Sequence, residues 1–237
     1  MIENRPLEEN NSQRRKPRLQ LCDFSRSSAI KPSVRKTPVQ ARSKLRVQSM
    51  LAVAESRLIQ LGYDELKMSD IARLAGVPIG SVYQYFPNKT AIVSSLLEEK
   101  IAQTQADVKQ ELSRLPEGES VLEYVADMVS RLVDTLYKRY RYDDSVRALW
   151  NAARSNPDLQ DMVLEDNLAN GDAVFQAMHA VLTQIPAEQL RAITNMVCDT
   201  IGSALRLAAS VDEIQGDIMA EELKVMINCY CINILER

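Results

Sequence analysis

The chain has 237 residues, 46% of them hydrophobic and 26% charged, with a net charge of −3. That length allows one or two domains with real cores. No apolar run is long enough to span a membrane, and one histidine with seven glycines leaves little for catalytic triads or glycine-rich phosphate loops.

The small net charge hides an asymmetry. Residues 1–100 carry 17 basic and 10 acidic side chains, and the remainder is acidic. A basic front and an acidic back suggest that only the front meets a polyanion, unless two domains differ in charge by chance. The excess is densest in residues 1–38, where Arg14-Arg15-Lys16, Arg18, Arg26, Lys31, Arg35 and Lys36 lie among Ser, Pro, Gln and Asn. Such a composition cannot bury enough surface to offset the entropy of ordering, so a disordered basic arm is predicted. No apolar stretch follows the charges, as a secretory signal requires. The arm lies in a minor groove, adds nonspecific affinity for DNA, or is a solvated tail.

The first helix is predicted from about Pro38-Val39 to Leu61. Val47, Leu51, Ala54, Leu58 and Leu61 step by three and four, and Gly62 closes the helix. Its front carries Arg42, Lys44 and Arg46.

The stretch from Met68 to Lys89 then reads as a short helix, a tight turn, a second short helix and a new helix start. Ile71, Leu74 and Ala75 share one face. Gly76 takes the left-handed conformation that ends the first helix, and Pro78 suits the first turn of the second. Phe86-Pro87 ends that helix, and Asn88 caps the next. Two short helices so joined form the helix-turn-helix unit, whose second helix fits the DNA major groove. Hydroxyls of Ser81 or Tyr83 can donate to phosphate, Lys89 can neutralise one, and Gln84 matches the edge of adenine. Gly80 lets the backbone approach the duplex, and Val77, Val82 and Phe86 are left for the core. Spacing alone fits an ordinary packed helix pair equally well.

The runs Gly62-Tyr-Asp64, Met68-Ser-Asp-Ile-Ala-Arg-Leu-Ala-Gly-Val77 and Gly80-Ser-Val-Tyr-Gln-Tyr-Phe-Pro-Asn-Lys89 resemble the DNA-binding domain of the TetR/AcrR family of bacterial transcriptional regulators. The resemblance covers roughly residues 40–95. It implies phosphate contacts from Ser81, Tyr83 and Lys89, and base-edge positions for Ile79, Gly80, Gln84 and Tyr85. It also brings the end bearing Arg42, Lys44 and Arg46 to the DNA backbone. Position 67, commonly Ser or Thr in the family, is Lys67, which cannot accept a capping bond. It is assigned to a phosphate instead, with Ser69 or Asp70 serving the first turn.

A connector helix should follow from Asn88 to about Leu115, with Ile92, Leu96, Leu97 and Ile101 inward, Glu98, Glu99 and Lys100 in water, and a stop at Pro116-Glu-Gly118. It serves either to transmit a shift or as a rigid linker. Beyond it the patterns are helical throughout, with helices near 119–140, 143–155, 157–184, 187–209 and 212–236. In the last two, Leu190, Ile193, Val197, Ile201, Ala204 and Ala208 form one stripe, and Ile214, Ile218, Leu223, Met226, Ile227, Tyr230 and Ile234 another. These stripes pack within one chain or build a four-helix bundle from two. The resemblance implies the second, with Ile193, Val197, Ile201, Ala204, Leu205, Ala208, Leu223, Met226, Ile227 and Tyr230 at a dimer interface and a palindromic operator.

The resemblance further implies a small-molecule effector pocket in the larger domain, for which Tyr124, Met128, Trp150, Phe175, Met178 and His179 are the candidates. The same residues also suit an ordinary core. Nothing near His179 suggests a nucleophile. Cys22, Cys198, Cys229 and Cys231 lack zinc spacing, so core thiols are expected, with a redox sensor as the alternative.

The expected architecture is therefore all-α. A basic arm spans 1–38, a three-helix helix-turn-helix DNA-binding domain 39–90, and a helical effector-binding and dimerisation domain 91–237. The expected protein is a cytoplasmic, homodimeric repressor of double-stranded operator DNA, released by a small apolar effector. It is not an enzyme and needs no cofactor, metal or membrane. The alternatives are an activator of the same fold, or a helical small-molecule-binding or catalytic protein with a vestigial helix-turn-helix.

Overall fold

A computed structural model describes residues 41–113, 120–179 and 182–235. Among the described residues the chain forms nine helices and no strand: α1 (Ala41–Leu61), α2 (Met68–Leu74), α3 (Ile79–Tyr85), α4 (Lys89–Leu112), α5 (Val121–Tyr142), α6 (Asp144–Ser155), α7 (Pro157–His179), α8 (Ala187–Ser210) and α9 (Glu213–Leu235). The chain is all-α, with a helix-turn-helix head followed by a helical second part. The expected arm of residues 1–38 and the stop at Pro116–Gly118 lie outside the described residues.

Local chemistry sets the helix ends. Gly62 and Gly76 have φ of 77° and 65°, a region where a side chain would be strained. At Gly76 the N–H groups of Gly76 and Val77 reach back to the carbonyls of Arg73 (3.3 Å) and Ala72 (3.0 Å), closing α2 in a Schellman turn. Asn88 accepts from the Ala91 N–H at 2.9 Å and caps α4. Ser120 and Glu123 form a capping box on α5, and Asp143 accepts from the N–H groups of Ser145 and Val146 at the head of α6. Lys67 supplies no capping bond to α2, as its chemistry requires.

Two apolar cores result. The first gathers Met50, Ala54 and Leu58 of α1, Ile71 and Ala72 of α2, Val82, Tyr85 and Phe86 around α3, and Ile92, Val93, Leu96 and Leu97 of α4. Leu149, Ala152 and Ala153 of α6 and Leu159 and Met162 of α7 belong to the same core. The three-helix head is thus not closed on itself: it completes its core with the second part. The second core is built from α5, α7, α8 and α9, around Val133, Leu136, Phe175, Leu190, Leu205 and Leu223.

Three details differ from the sequence expectation. Leu74 is exposed and Ala72 takes the inward place, because a seven-residue helix fixes its facing through the turn that ends it. Lys100 is not simply solvated: it pairs with Glu55 at 3.8 Å and Asp143 at 3.2 Å, joining α4 to α1 and α6. α7 ends at His179, short of 184, and Leu182 and Ile185 tuck into the second core from the turn before Pro186.

A candidate nucleic-acid interface

The second helix of the motif is anchored on one side and open on the other. Val82 and Phe86 are fully buried, and Tyr85 is 4% exposed. On the opposite side Ile79 and Tyr83 are 44% and 45% exposed, with Gly80 and Gln84 also in solvent. Positions 79, 80, 83 and 84 step by one, three and one, so they share a helical face. A Cβ placed on Gly80 meets no atom within 4 Å, so that edge is open to approach. Ser81 is half-buried beside it, and its N–H is held by the Pro78 carbonyl at 2.8 Å. Lys44, Arg46 and Lys67 are exposed cations of the same head, Lys67 lying 4.0 Å from Glu65. Arg42 falls within α1, but its side chain lies outside the described residues.

Two of the expected contact residues are committed elsewhere. Tyr85 does not stand at the surface. Its ring fills the head core and its hydroxyl lies 2.5 Å from Ser43 Oγ on α1, which fixes α3 against the first helix. The position follows from helical facing, since residue 85 lies three from Val82 and six from Ile79. Lys89 is likewise not a free cation. Its Nζ donates to the carbonyls of Tyr63 (2.8 Å) and Asp64 (2.9 Å), just beyond the C-terminus of α1, and lies 4.5 Å above the Tyr63 ring. The charge thus holds the turn that follows α1, where the Tyr63 carbonyl also accepts from the Leu66 N–H at 3.3 Å.

The expected dimer stripe is also divided. Ile201, Leu205, Ala208, Leu223 and Ile227 are buried in the chain's own core, against which Ile193, Val197 and Ala204 pack. Tyr230 is half-buried. These residues hold α8 and α9 to α5 and α7. The apolar residues facing solvent are Met196 and Leu207 of α8 and Ile214, Ile218, Val225 and Met226 of α9. Of the expected set only Met226 is among them. α9 is apolar around most of its circumference, so periodicity could not say which stripe faces inward.

The six effector candidates do not converge on one cavity. Met128 and Met178 line an apolar cavity of about 80 Å³. Trp150 lines a separate groove of about 330 Å³ between α5, α6 and α8, with Tyr140, Arg147, Asn151, Arg154 and Arg206. Phe175 stacks on His179 at 5.0 Å and carries the Arg191 guanidinium 4.2 Å above its ring. Tyr124 is buried in the second core. The arginines were not anticipated, although Arg147, Trp150, Asn151 and Arg154 have the i, i+3, i+4, i+7 spacing of one helix face.

Burial pushes the Cys198 thiol up to about 12, where thiolate chemistry at neutral pH is negligible. Among the described residues no His/Cys/Asp/Glu cluster has the arrangement of a metal site, and no helix is long and apolar enough to cross a membrane.

Comparison with known proteins places both parts of the chain. Residues 50–96 match the family model described as bacterial regulatory proteins, tetR family. Residues 123–234 match the model described as tetracyclin repressor-like, C-terminal domain. The HTH-type transcriptional regulator SAR0097 of Staphylococcus aureus (strain MRSA252) is 29% identical over 68 residues, 28% of this chain and 36% of the relative. That match spans about a third of the relative's length. Among solved structures, a TetR-family transcriptional regulator from Streptomyces coelicolor is 21% identical with a TM-score of 0.54, covering 78% of this chain and 96% of that one. A transcriptional regulator from Saccharomonospora viridis, solved in complex with choline, is 16% identical with a TM-score of 0.57, covering 78% and 96%. At such identities the two structures speak for the fold.

Proposed function

Since this chain belongs to the TetR family of transcriptional regulators, we propose that it is a ligand-responsive repressor that binds a palindromic DNA operator as a homodimer in the bacterial cytoplasm. The observation that carries this reading is the two-sided α3: Val82, Tyr85 and Phe86 lock it into the head, while Ile79, Gly80, Tyr83 and Gln84 stand free on its outer face. A firmly seated helix with a free polar and aromatic edge is what major-groove reading needs. Lys44, Arg46 and Lys67 then meet phosphates, Arg42 is assigned the same role from the sequence, and Ser81 and Tyr83 donate to phosphate oxygens. Gln84 is the direct reader of a base, through its paired donor and acceptor.

Dimerisation is assigned to the exposed apolar residues Met196, Leu207, Ile214, Ile218, Val225 and Met226, a set too extensive to be left in water without a partner. Twofold symmetry presents two α3 helices to successive major-groove faces, hence the inverted repeat. Release follows when a small molecule bound in the second part changes the spacing of the two heads. In this reading the protein works by binding and catalyses no reaction.

The test is fluorescence anisotropy with inverted repeats found in the DNA flanking the gene, set against scrambled sequences of equal composition. Tight, salt-dependent binding to one repeat is expected, and Gln84→Ala should change base preference more than total affinity. Equal binding to repeat and scramble at every salt concentration overturns the proposal.

A further inference from the structure

The groove between α5, α6 and α8 is a local exception in the acidic part of the chain. It holds about 330 Å³, near the small end of the roughly 300–1,000 Å³ range of small-molecule sites. Three arginines reach it, two from α6 (Arg147, Arg154) and one from α8 (Arg206). Only Arg147 has a carboxylate partner there, Asp144. Among the described residues neither Arg154 nor Arg206 forms an ion pair, and Arg206 Nη1 is buried without an acceptor. The Arg206 guanidinium is held in place from two sides: it lies 4.8 Å from the Trp150 ring centre, and its Nη2 donates to Ser203 Oγ at 2.8 Å. Tyr140 meets Trp150 with ring centres 5.8 Å apart. Burial raises the Tyr140 phenol above its ordinary value, outweighing the Arg206 guanidinium that its hydroxyl meets and that acts to lower it, so the phenol stays neutral. Asp199 lines an adjoining groove together with Trp150, Arg154 and Arg206; among the described residues its carboxylate pairs with neither arginine and accepts instead from Asn167 at 2.7 Å.

A fixed, partly desolvated guanidinium beside two aromatic rings, with a second unpaired arginine at the rim, lacks a negative charge. We propose that this groove binds a small organic anion, a carboxylate on a flat apolar body, with its charge on Arg206 and Arg154 and its body against Trp150 and Tyr140. The proposal deepens the effector half of the proposed function and rests on it, replacing the small apolar effector expected from sequence with an acidic one. The wholly apolar cavity of about 80 Å³ is far below the size such a ligand needs. Guanidinium pairs with carboxylate through two parallel N–H···O bonds, which makes arginine the side chain for this class.

The chain has one tryptophan, and it lines the groove, so its emission reports occupancy directly. The full-length protein, without DNA, is titrated with benzoate and phenylacetate, with phenylacetamide as the neutral isostere, benzylamine as the cation, and sulfate at matched ionic strength. Saturable change in Trp150 emission is expected for at least one carboxylate, with the amide about tenfold or more weaker and no response to benzylamine or sulfate. Arg154→Gln, an exposed position, should weaken the acid about tenfold while melting stays unchanged, and Arg206→Gln should weaken it further.

The proposal is overturned if neither carboxylate saturates, if amide and acid bind alike, or if Arg154→Gln binds the acid as tightly as the parent. Because no DNA is present, any of these leaves operator recognition standing. An acid that binds the groove but leaves operator affinity unchanged supports the site and overturns the effector-release half of the proposed function instead.

Discussion

Lys89 offers the sharpest separation between structural and DNA-contacting roles in the head. Its ammonium donates to the carbonyls of Tyr63 and Asp64 at 2.8 and 2.9 Å and lies over the Tyr63 ring, so it ties the start of α4 to the end of α1. Lys89→Met keeps most of the aliphatic stem and removes both bonds. A hydrogen bond to a charged group is worth about 1.5–3 kcal/mol. The two here share one ammonium and the Asp64 bond is solvent-exposed, so a combined loss of about 2 kcal/mol is the reasonable figure. For a chain of this size that is a fall of roughly 4–8 °C in melting temperature. Circular dichroism melts measure the loss, and anisotropy titrations across a salt series measure the DNA side. Each phosphate contact contributes about 0.9 to the slope of log K against log salt. The clamp predicts a lower melting temperature with the slope unchanged. If Lys89→Met melts like the parent and the slope drops by about one, the lysine serves the phosphate and the clamp argument is wrong.

The two tyrosines of α3 should behave oppositely. Tyr83→Ala, at an exposed position, should leave stability within about 0.5 kcal/mol and weaken operator binding, whereas Tyr85→Phe should cost about 1 kcal/mol of stability by removing the bond to Ser43 and alter DNA affinity little. Equal effects of the two changes on DNA affinity would remove the two-sided picture of α3. For dimerisation, Ile218→Glu places a charge on the outward stripe and should give a folded monomer in sedimentation, while Leu205→Glu, in the core, should unfold the chain. A dimer that survives Ile218→Glu excludes this face as the interface.

Acid should loosen the junction at α6. Burial acts to raise the Asp143 carboxyl, but the Val146 N–H, Lys100 and the Ser145 N–H together hold it below its ordinary 3.8. A depressed native value means the contribution is fully present above about 3.8 and is lost as pH falls through the native value. Asp143→Asn keeps the cap acceptor and removes the titration, so its melting temperature should fall less steeply than the parent's below pH of about 4. Parallel curves for the two proteins would refute this assignment.

The sequence was most readable where special residues punctuate it. Gly62 and Gly76 mark the ends of α1 and α2, Asn88 caps α4 as its residue type predicts, and Pro157 and Pro186 stand at the starts of α7 and α8. Facing was harder on short or apolar helices. A seven-residue helix has too few turns to define a stripe, so spacing reads Leu74 as inward; the outward place of Tyr85 comes from the family resemblance, while its spacing from Val82 puts it on the buried side. α9 offers apolar residues on nearly every side, so the stripe that serves the core and the stripe left in water could not be separated. Lys89 illustrates a different limit: the residue type permits a phosphate contact, but two carbonyls brought together by the fold reach it first. The arginine groove is not legible in the sequence because Arg154 of α6 and Arg206 of α8 lie 52 residues apart, and a pattern along one helix holds only half of it.

The placement of α6 explains how an occupied groove can be felt by the head. One face of this helix, Leu149, Ala152 and Ala153, is part of the head core. The other face, Arg147, Trp150, Asn151 and Arg154, forms a wall of the groove. Both ends are tied to the head by polar contacts. At the first, Asp143 takes Lys100 of α4 and the Ser145 hydroxyl donates to Glu55 of α1. At the second, Asn156 Nδ2 donates to the Tyr63 hydroxyl at 2.9 Å, and that hydroxyl also meets Thr90 at 2.7 Å. A helix held at both ends and along one side cannot tilt alone, because close-packed cores shift as units rather than deform continuously. An anion that drew Arg154 and Arg206 together would therefore act on α1 and α4 as well as on α6, and α3 would follow through the contact of Tyr85 with Ser43. The coupling requires only that the ligand favour one of two seatings of α6, and its strength equals the difference in ligand affinity between them.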